Sequence, residues 1–307
     1  MSAPSEPADT PTAARSGAGV IHDIGYRGYQ GPRLGRAYAT RSLFVQGLRG
    51  AFGLGRSGRS KVLPMLILAA MVVPAAVLVA VTVLMKRTDQ PIDYPQYLAT
   101  FGLFSEIFLA AQAPVLLSRD LRNATVPLYF SRPITRGDYV RAKAAAMVAA
   151  MLIVTVLPLL VLYVGALLAG LDFGHNTTHL GYGLLAALLY SVVLSAVGLL
   201  IAASTPRRGF GVAAIMGFLV VSGGVAGVVE AVQSGPPTAA SSADWAFLIS
   251  PSDLVERFVN HVCGLVQSSS SSFGDTPGTL GAVVFGLEMV VIVAGAYALL
   301  LRRYRKI

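Results

Sequence analysis

Six runs of about twenty apolar residues recur along this chain of 307 residues, and nothing else in it limits the fold so sharply. They cover about 62–85, 97–117, 144–169, 181–203, 210–231 and 279–301. Such a run matches the hydrocarbon thickness of a bilayer. Inside lipid, backbone N–H and C=O groups find no water, so they must pair within a helix or a closed barrel. The runs are continuous rather than alternating with period two, which selects helices. Charged residues make up only 13% of the chain against 54% apolar ones, about half the ~25% charge of soluble domains. The expected fold is an all-α polytopic membrane protein with six transmembrane helices. Pro64 and Pro74 fall within the first span, where neighbouring helices can satisfy the freed carbonyls.

Charge gives the expected orientation. The net charge is +9, which in a soluble chain would suggest nucleic acid. Here the basic residues flank apolar spans instead of forming a groove, so no nucleic-acid partner is expected. Of the 24 lysines and arginines, 21 fall on one side of a six-span arrangement and 3, Lys86, Arg87 and Arg257, on the other. The positive-inside rule then puts both termini and the 118–143 connection in the cytoplasm, as expected for a multi-pass plasma-membrane protein.

Besides the 118–143 connection, four further segments flank the spans. Residues 1–20, rich in Ala, Pro, Ser and Thr, read as a disordered tail without the basic start and apolar core of a cleavable leader. Residues 21–61 are basic, with Leu34, Tyr38, Val45, Leu48 and Phe52 on one helical face. Arg41 and Arg49 intrude on that face and Leu43 sits opposite. An in-plane helix at the inner leaflet, its arginines reaching lipid phosphates, accounts for this pattern; a basic linker is the plainer alternative. The outer connection 232–278 carries a second amphipathic helix, with Leu254, Phe258, Val262 and Leu265 on its apolar face and Glu256, Arg257, Asn260 and His261 on its polar one. It reads either as a gate or as a packed lid. Residues 302–307 form a basic cytoplasmic tail.

The sequence carries no recognisable catalytic motif. Gly53 to Ser60 resembles a phosphate-binding loop with Arg59 in the lysine position, but no α/β domain surrounds it. His175 and His179 are four apart in what reads as a short solvated loop, and no His-Glu-x-x-His or Gly-x-Ser-x-Gly occurs. The single Cys263 cannot form a multi-cysteine metal site. The chain is therefore expected to be no enzyme and to hold no metal or cofactor. Two acids lie inside spans: Glu106, 13 residues before Arg119, and Glu288, 14 before Arg302. At 1.5 Å per residue they sit about 20 Å from the cytoplasmic edge. A carboxylate at that depth faces the bundle or a wet cavity, either for proton coupling or for packing.

The connection 118–143 carries six positive and two negative side chains. Its sequence Arg119-Asp120-Leu-Arg122-Asn123-Ala-Thr125-Val-Pro127-Leu-Tyr129-Phe130-Ser-Arg132-Pro133-Ile-Thr-Arg136 resembles the loop between the second and third spans of ABC-2 type transporter permeases. Val126-Pro127 departs from the family pattern, which often has an acidic residue among aliphatic ones there. The resemblance extends over most of the chain and includes His22-Asp-Ile-Gly-Tyr-Arg-Gly-Tyr and Gly31-Pro-Arg-Leu-Gly-Arg36, similar to actinobacterial members.

The resemblance implies an exporter permease that pairs with a second permease copy or paralogue and docks a separate ATPase pair, which binds ATP and Mg. It implies that this loop is a cytoplasmic coupling helix, with Arg119, Asp120, Arg122, Leu128, Tyr129, Phe130 and Arg132 as its contact residues. The residues agree physically. Pro133 disfavours helix at Arg132, Thr135 and Asp138 can cap the next helix, and Leu128, Tyr129 and Phe130 could anchor a protein contact. A basic loop lying on anionic membrane lipid is the alternative for this stretch. For the whole chain, the alternative is a self-contained proton-coupled carrier using Glu106 and Glu288, or a scaffold that transports nothing.

Overall fold

The computed structural model describes residues 31, 34–55, 57–87, 89–123, 126–130, 134–205, 207–233, 242–265 and 276–305. Helix α1 (Arg36–Ala51) precedes the first long helix, α2 (Arg59–Leu84), which turns over into α3 (Tyr94–Leu116). Two short helices follow, α4 (Ser118–Arg122) and α5 (Val126–Phe130), before the long α6 (Arg136–Leu168) and α7 (Phe173–Ser204). Helix α8 (Arg208–Gln233) leads by way of a 3₁₀ helix, Ser242–Ile249, and α9 (Pro251–Val262) to α10 (Gly278–Arg305). Six of these, α2, α3, α6, α7, α8 and α10, are long and apolar enough to cross a membrane.

Two of the long helices begin well before their apolar runs, because polar caps start them. In α6, the Thr135 hydroxyl accepts from the Asp138 backbone N–H and the Asp138 carboxylate accepts from the Thr135 N–H, a complete capping box. In α7, the Asp172 carboxylate accepts from the His175 N–H at 2.6 Å. His175 and His179 therefore lie on α7 and not in a loop, their rings 4.0 Å apart.

The core is built from α3, α6 and α7, whose apolar stretches are half or more buried, against 22% in α2, α8 and α10. Small residues set the close approaches. A Cβ on Gly183 of α7 would lie 2.7 Å from the Tyr94 Cβ, and one on Gly198 would lie 2.8 Å from the Leu109 side chain. The outward faces of α8 and α10 stay apolar, with Val220, Val221, Val228, Val283, Leu287 and Val290 exposed. Lipid tails match such a surface as well as protein does.

Helix α1 packs on α6 through Leu43, Gly47 and Ala51, all buried. A Cβ on Gly47 would lie 2.9 Å from the Ala146 Cβ. The expected apolar face divides: Phe52 is buried against Phe108, Leu48 is half-buried, and Leu34, Tyr38 and Val45 are exposed. Counting only large apolar side chains overlooks Gly47 and Ala51, whose small size allows the helix axes to meet.

Candidate functional site

The α3–α6 connection is fixed by charge at both ends. Ser118 opens α4 with its hydroxyl donating to the Ala202 carbonyl at 2.8 Å, deep against α7. Asp120 accepts from Lys143 at 2.8 Å and from the Tyr139 hydroxyl at 2.9 Å. Lys143 and Asp120 are both largely shielded from solvent, which strengthens the pair beyond a surface one. At the other end Asp138 accepts from Arg36 of α1 at 2.5 Å and from Arg141 at 2.6 Å. One carboxylate thus caps α6 and ties α1 to it.

Tyr139, fully buried, gathers the aromatic residues of this region. Its ring centroid lies 5.5 Å from Tyr129, 6.3 Å from Phe130 and 5.2 Å from Tyr304 near the end of α10. The Arg136 guanidinium covers the Phe130 ring at 5.5 Å. Tyr129 and Phe130 are half-buried and turned toward the body, whereas Leu128 is 68% exposed and Arg122, at the end of α4, is exposed as well. Arg119 lies on α4, and Arg132 lies outside the described residues.

At the opposite ends of the long helices a cavity of about 110 Å³ lies beneath α9. Glu106 of α3, Tyr190 of α7, and Ser252, Asp253, Glu256 and Asn260 of α9 line it. The Tyr190 hydroxyl lies 3.4 Å from a Glu106 oxygen and 3.3 Å from the Gly102 carbonyl, either of which can take its one proton. Burial, reinforced by the Asp253 charge and opposed by Arg257, pushes Glu256 up to about 7. Glu106 therefore faces a polar cavity; Glu288, half-buried on α10, does not line it.

Helix α9 is held by both faces. Leu254, Val255 and Val259 are buried, Phe258 is half-buried and Val262 is 54% exposed, while Leu265, expected on the same face, lies past the end of α9 and is half-buried. Arg257, on the polar face of the expected amphipathic helix, points into the protein. It is buried, bonded to Glu230 of α8 at 3.0 Å and to Asp244 at 3.2 Å, with its guanidinium 3.4 Å from the Phe247 ring centroid. Opposite charges thirteen and twenty-seven residues upstream were the available signal, but no helical wheel brings them together.

Among the described residues no cluster of three or more His, Cys, Asp and Glu side chains could hold a metal. His179 instead faces Asp93 at 3.3 Å. Gly53 and Gly55 stand at positive φ in the turn that follows α1, and Arg59 and Ser60 open α2, so the Gly53–Ser60 stretch does not lead from a strand into a helix. No curated protein matches the chain. Residues 58–224 match the family described as ABC-2 family transporter protein, a range that takes in α2, α3, the whole α3–α6 connection and α7. With more than half of its length matched and six membrane-spanning helices, this chain belongs to the ABC-2 transporter family as a multi-pass membrane permease.

Proposed function

We propose that the chain is the permease subunit of an ATP-driven exporter in the plasma membrane, with the α4–α5 segment receiving force from a separate ATPase. That partner would bind ATP and Mg, and a second permease copy or paralogue would complete the substrate pathway. The observation that carries this reading is the double clamp on the connection. Asp120–Lys143 and Asp138–Arg36 join α4 and α1 to the first turns of α6. A push on a segment so tied moves the transmembrane helix instead of bending a loop. The lysine and arginine distribution supports a cytoplasmic position for this end and for both termini.

Leu128 is the apolar side chain offered outward, so it makes the sharper test than the inward Tyr129 and Phe130. Leu128→Glu places a charge in an apolar contact, costing about 2 kcal/mol or more, while leaving the Tyr139 cluster intact. The expected result is loss of the ATPase on co-purification from native membranes with the permease still folded. Undiminished co-purification contradicts the coupling role. The carboxylate-lined cavity at Glu106 favours a second reading, a proton-coupled carrier using Glu106 there and Glu288 apart from it on α10. Transport in vesicles that follows a pH gradient without any ATPase would select it.

A further inference from the structure

A cavity of about 790 Å³ opens between α1 and the α3–α6 connection. One wall is a single face of α1: Tyr38, Arg41, Ser42, Val45, Gln46 and Arg49 recur at the three- and four-residue spacing of a helix. The opposite wall is the end of α3 with Asp120, Tyr129 and Lys143. Lys143 is neutralised there by Asp120. Arg41 and Arg49 are different: both are exposed, and neither has an ion-pair or hydrogen-bond partner among the described residues. Eight residues apart on one face, they lie about 12 Å from each other along the helix. Tyr38, Val45 and Leu54 share that wall as exposed apolar groups.

We propose that this cavity binds the headgroup of an anionic phospholipid, its phosphate held by Arg41 and Arg49 and its glycerol and upper acyl region lying on Tyr38, Val45 and Leu54. Two uncompensated guanidiniums beside apolar side chains suit an amphiphile with an acidic head, and a guanidinium matches phosphate in bidentate fashion. A free phosphate would use the arginines and leave the apolar wall wet. The turn through Leu54 leads into α2, whose first residues Val62, Leu63 and Leu66 are exposed, so an acyl chain continues along a surface already apolar. The site rests on the membrane reading of this end of the molecule and not on ATPase coupling. Lipid seated there would fill the space between α1 and the connection and set how closely they approach.

The test is lipid retention by the full-length permease alone, released from vesicles of phosphatidylcholine and phosphatidylglycerol and read by native mass spectrometry. Each arginine near an anionic headgroup adds about fivefold to binding, so R41Q/R49Q should lose phosphatidylglycerol selectivity roughly thirtyfold. R59Q/K61Q, equal in charge and outside the cavity, should lose at most about fivefold. V45E, which changes the apolar wall and adds an acid, should also reduce retention, while size exclusion shows all variants folded. Equal loss in the two arginine and lysine pairs refutes a defined site. Glycerol phosphate displacing the lipid at similar concentration refutes the lipid as the source of the phosphate. If R41Q/R49Q keeps the lipid but loses the ATPase on co-purification, the cavity docks protein and the proposal fails. Because retention is measured without ATPase, loss of coupling at Leu128 and loss of lipid at Arg41 and Arg49 are separable.

Discussion

Replacing Arg257 by Met keeps most of the side chain's apolar stem and removes its charge from between Glu230, Asp244 and Phe247. Breaking a buried ion pair from one side costs about 3–5 kcal/mol when the other charge is stranded. Here the stranded groups are not deeply buried, since the Glu230 side chain is 47% and the Asp244 side chain 24% exposed, so both can rehydrate. Two partly screened pairs at about 0.5–1 kcal/mol each and a desolvated cation–ring contact at about 1–2 kcal/mol leave a cost of about 2–4 kcal/mol. That cost falls on the docking of α9 against α8 and the 3₁₀ helix. The protein carries its own reporter, because Cys263, the single cysteine, caps the C-terminal end of α9 and is half-buried. If labelling requires α9 to lift, its rate with a maleimide at fixed pH should rise roughly thirty- to nine-hundred-fold in Arg257→Met. Glu230→Gln, which removes one half-exposed partner, should change the rate by less than about fivefold. The reasoning is refuted if Arg257→Met labels within about twofold of the native protein, or if Glu230→Gln matches it.

Three further outcomes follow from the geometry. Asp138→Ala removes a helix cap worth about 1 kcal/mol and two ion pairs to exposed arginines worth about 0.5 kcal/mol each; Asp138→Asn keeps the cap, so its thermal unfolding in detergent should lie midway between Ala and native. Gly183→Ala sets a Cβ against the Tyr94 Cβ at 2.7 Å; neither atom can rotate away, so α7 must move from α3 at a cost of about 1–3 kcal/mol, read as a lowered thermal midpoint. Glu256 has a folded-state pKa of about 7, above its free value of 4.5. The folded state therefore holds the proton more tightly, and this contribution is complete below the free value and lost as pH rises through about 7. Stability should fall across that window in the native protein, and Glu256→Gln should flatten the profile.

Some of this was legible because it is one-dimensional. Six apolar runs become six long helices, since length and hydropathy alone decide whether a segment suits a bilayer. The Thr135–Asp138 box was readable for the same reason: a cap spans four residues. What escaped depends on contacts across the fold. Arg257 reads from the sequence only as one member of a polar helix face, and the approach of α8 and the 3₁₀ helix makes that face an interior one. Leu43 looked misplaced on α1, yet it packs on α6 beside Gly47 and Ala51, residues too small to register as an apolar stripe. Tyr129 and Phe130 read as outward anchors because their inward partner, Tyr139, is itself half of a polar-apolar boundary at the start of a long helix. Glu106 could be assigned a depth from the sequence but not its companions, which come from a helix nearly one hundred and fifty residues later.

The capped helix α6 has a mechanical consequence. Its 33 residues extend about 50 Å, well beyond the ~30 Å of hydrocarbon, and its first turns are the ones gripped by Asp120 and Arg36. A rod of that length magnifies rotation into distance. Tilting it by about ten degrees about its gripped end carries the far end through about 9 Å, close to the width of another helix, while points near the pivot scarcely move. Pro158 lies about two-thirds of the way along, where a missing backbone hydrogen bond leaves the distal third free to yield. The stiff section thus ends about 33 Å from the gripped end, where the same tilt gives about 6 Å, roughly two-thirds of the full stroke.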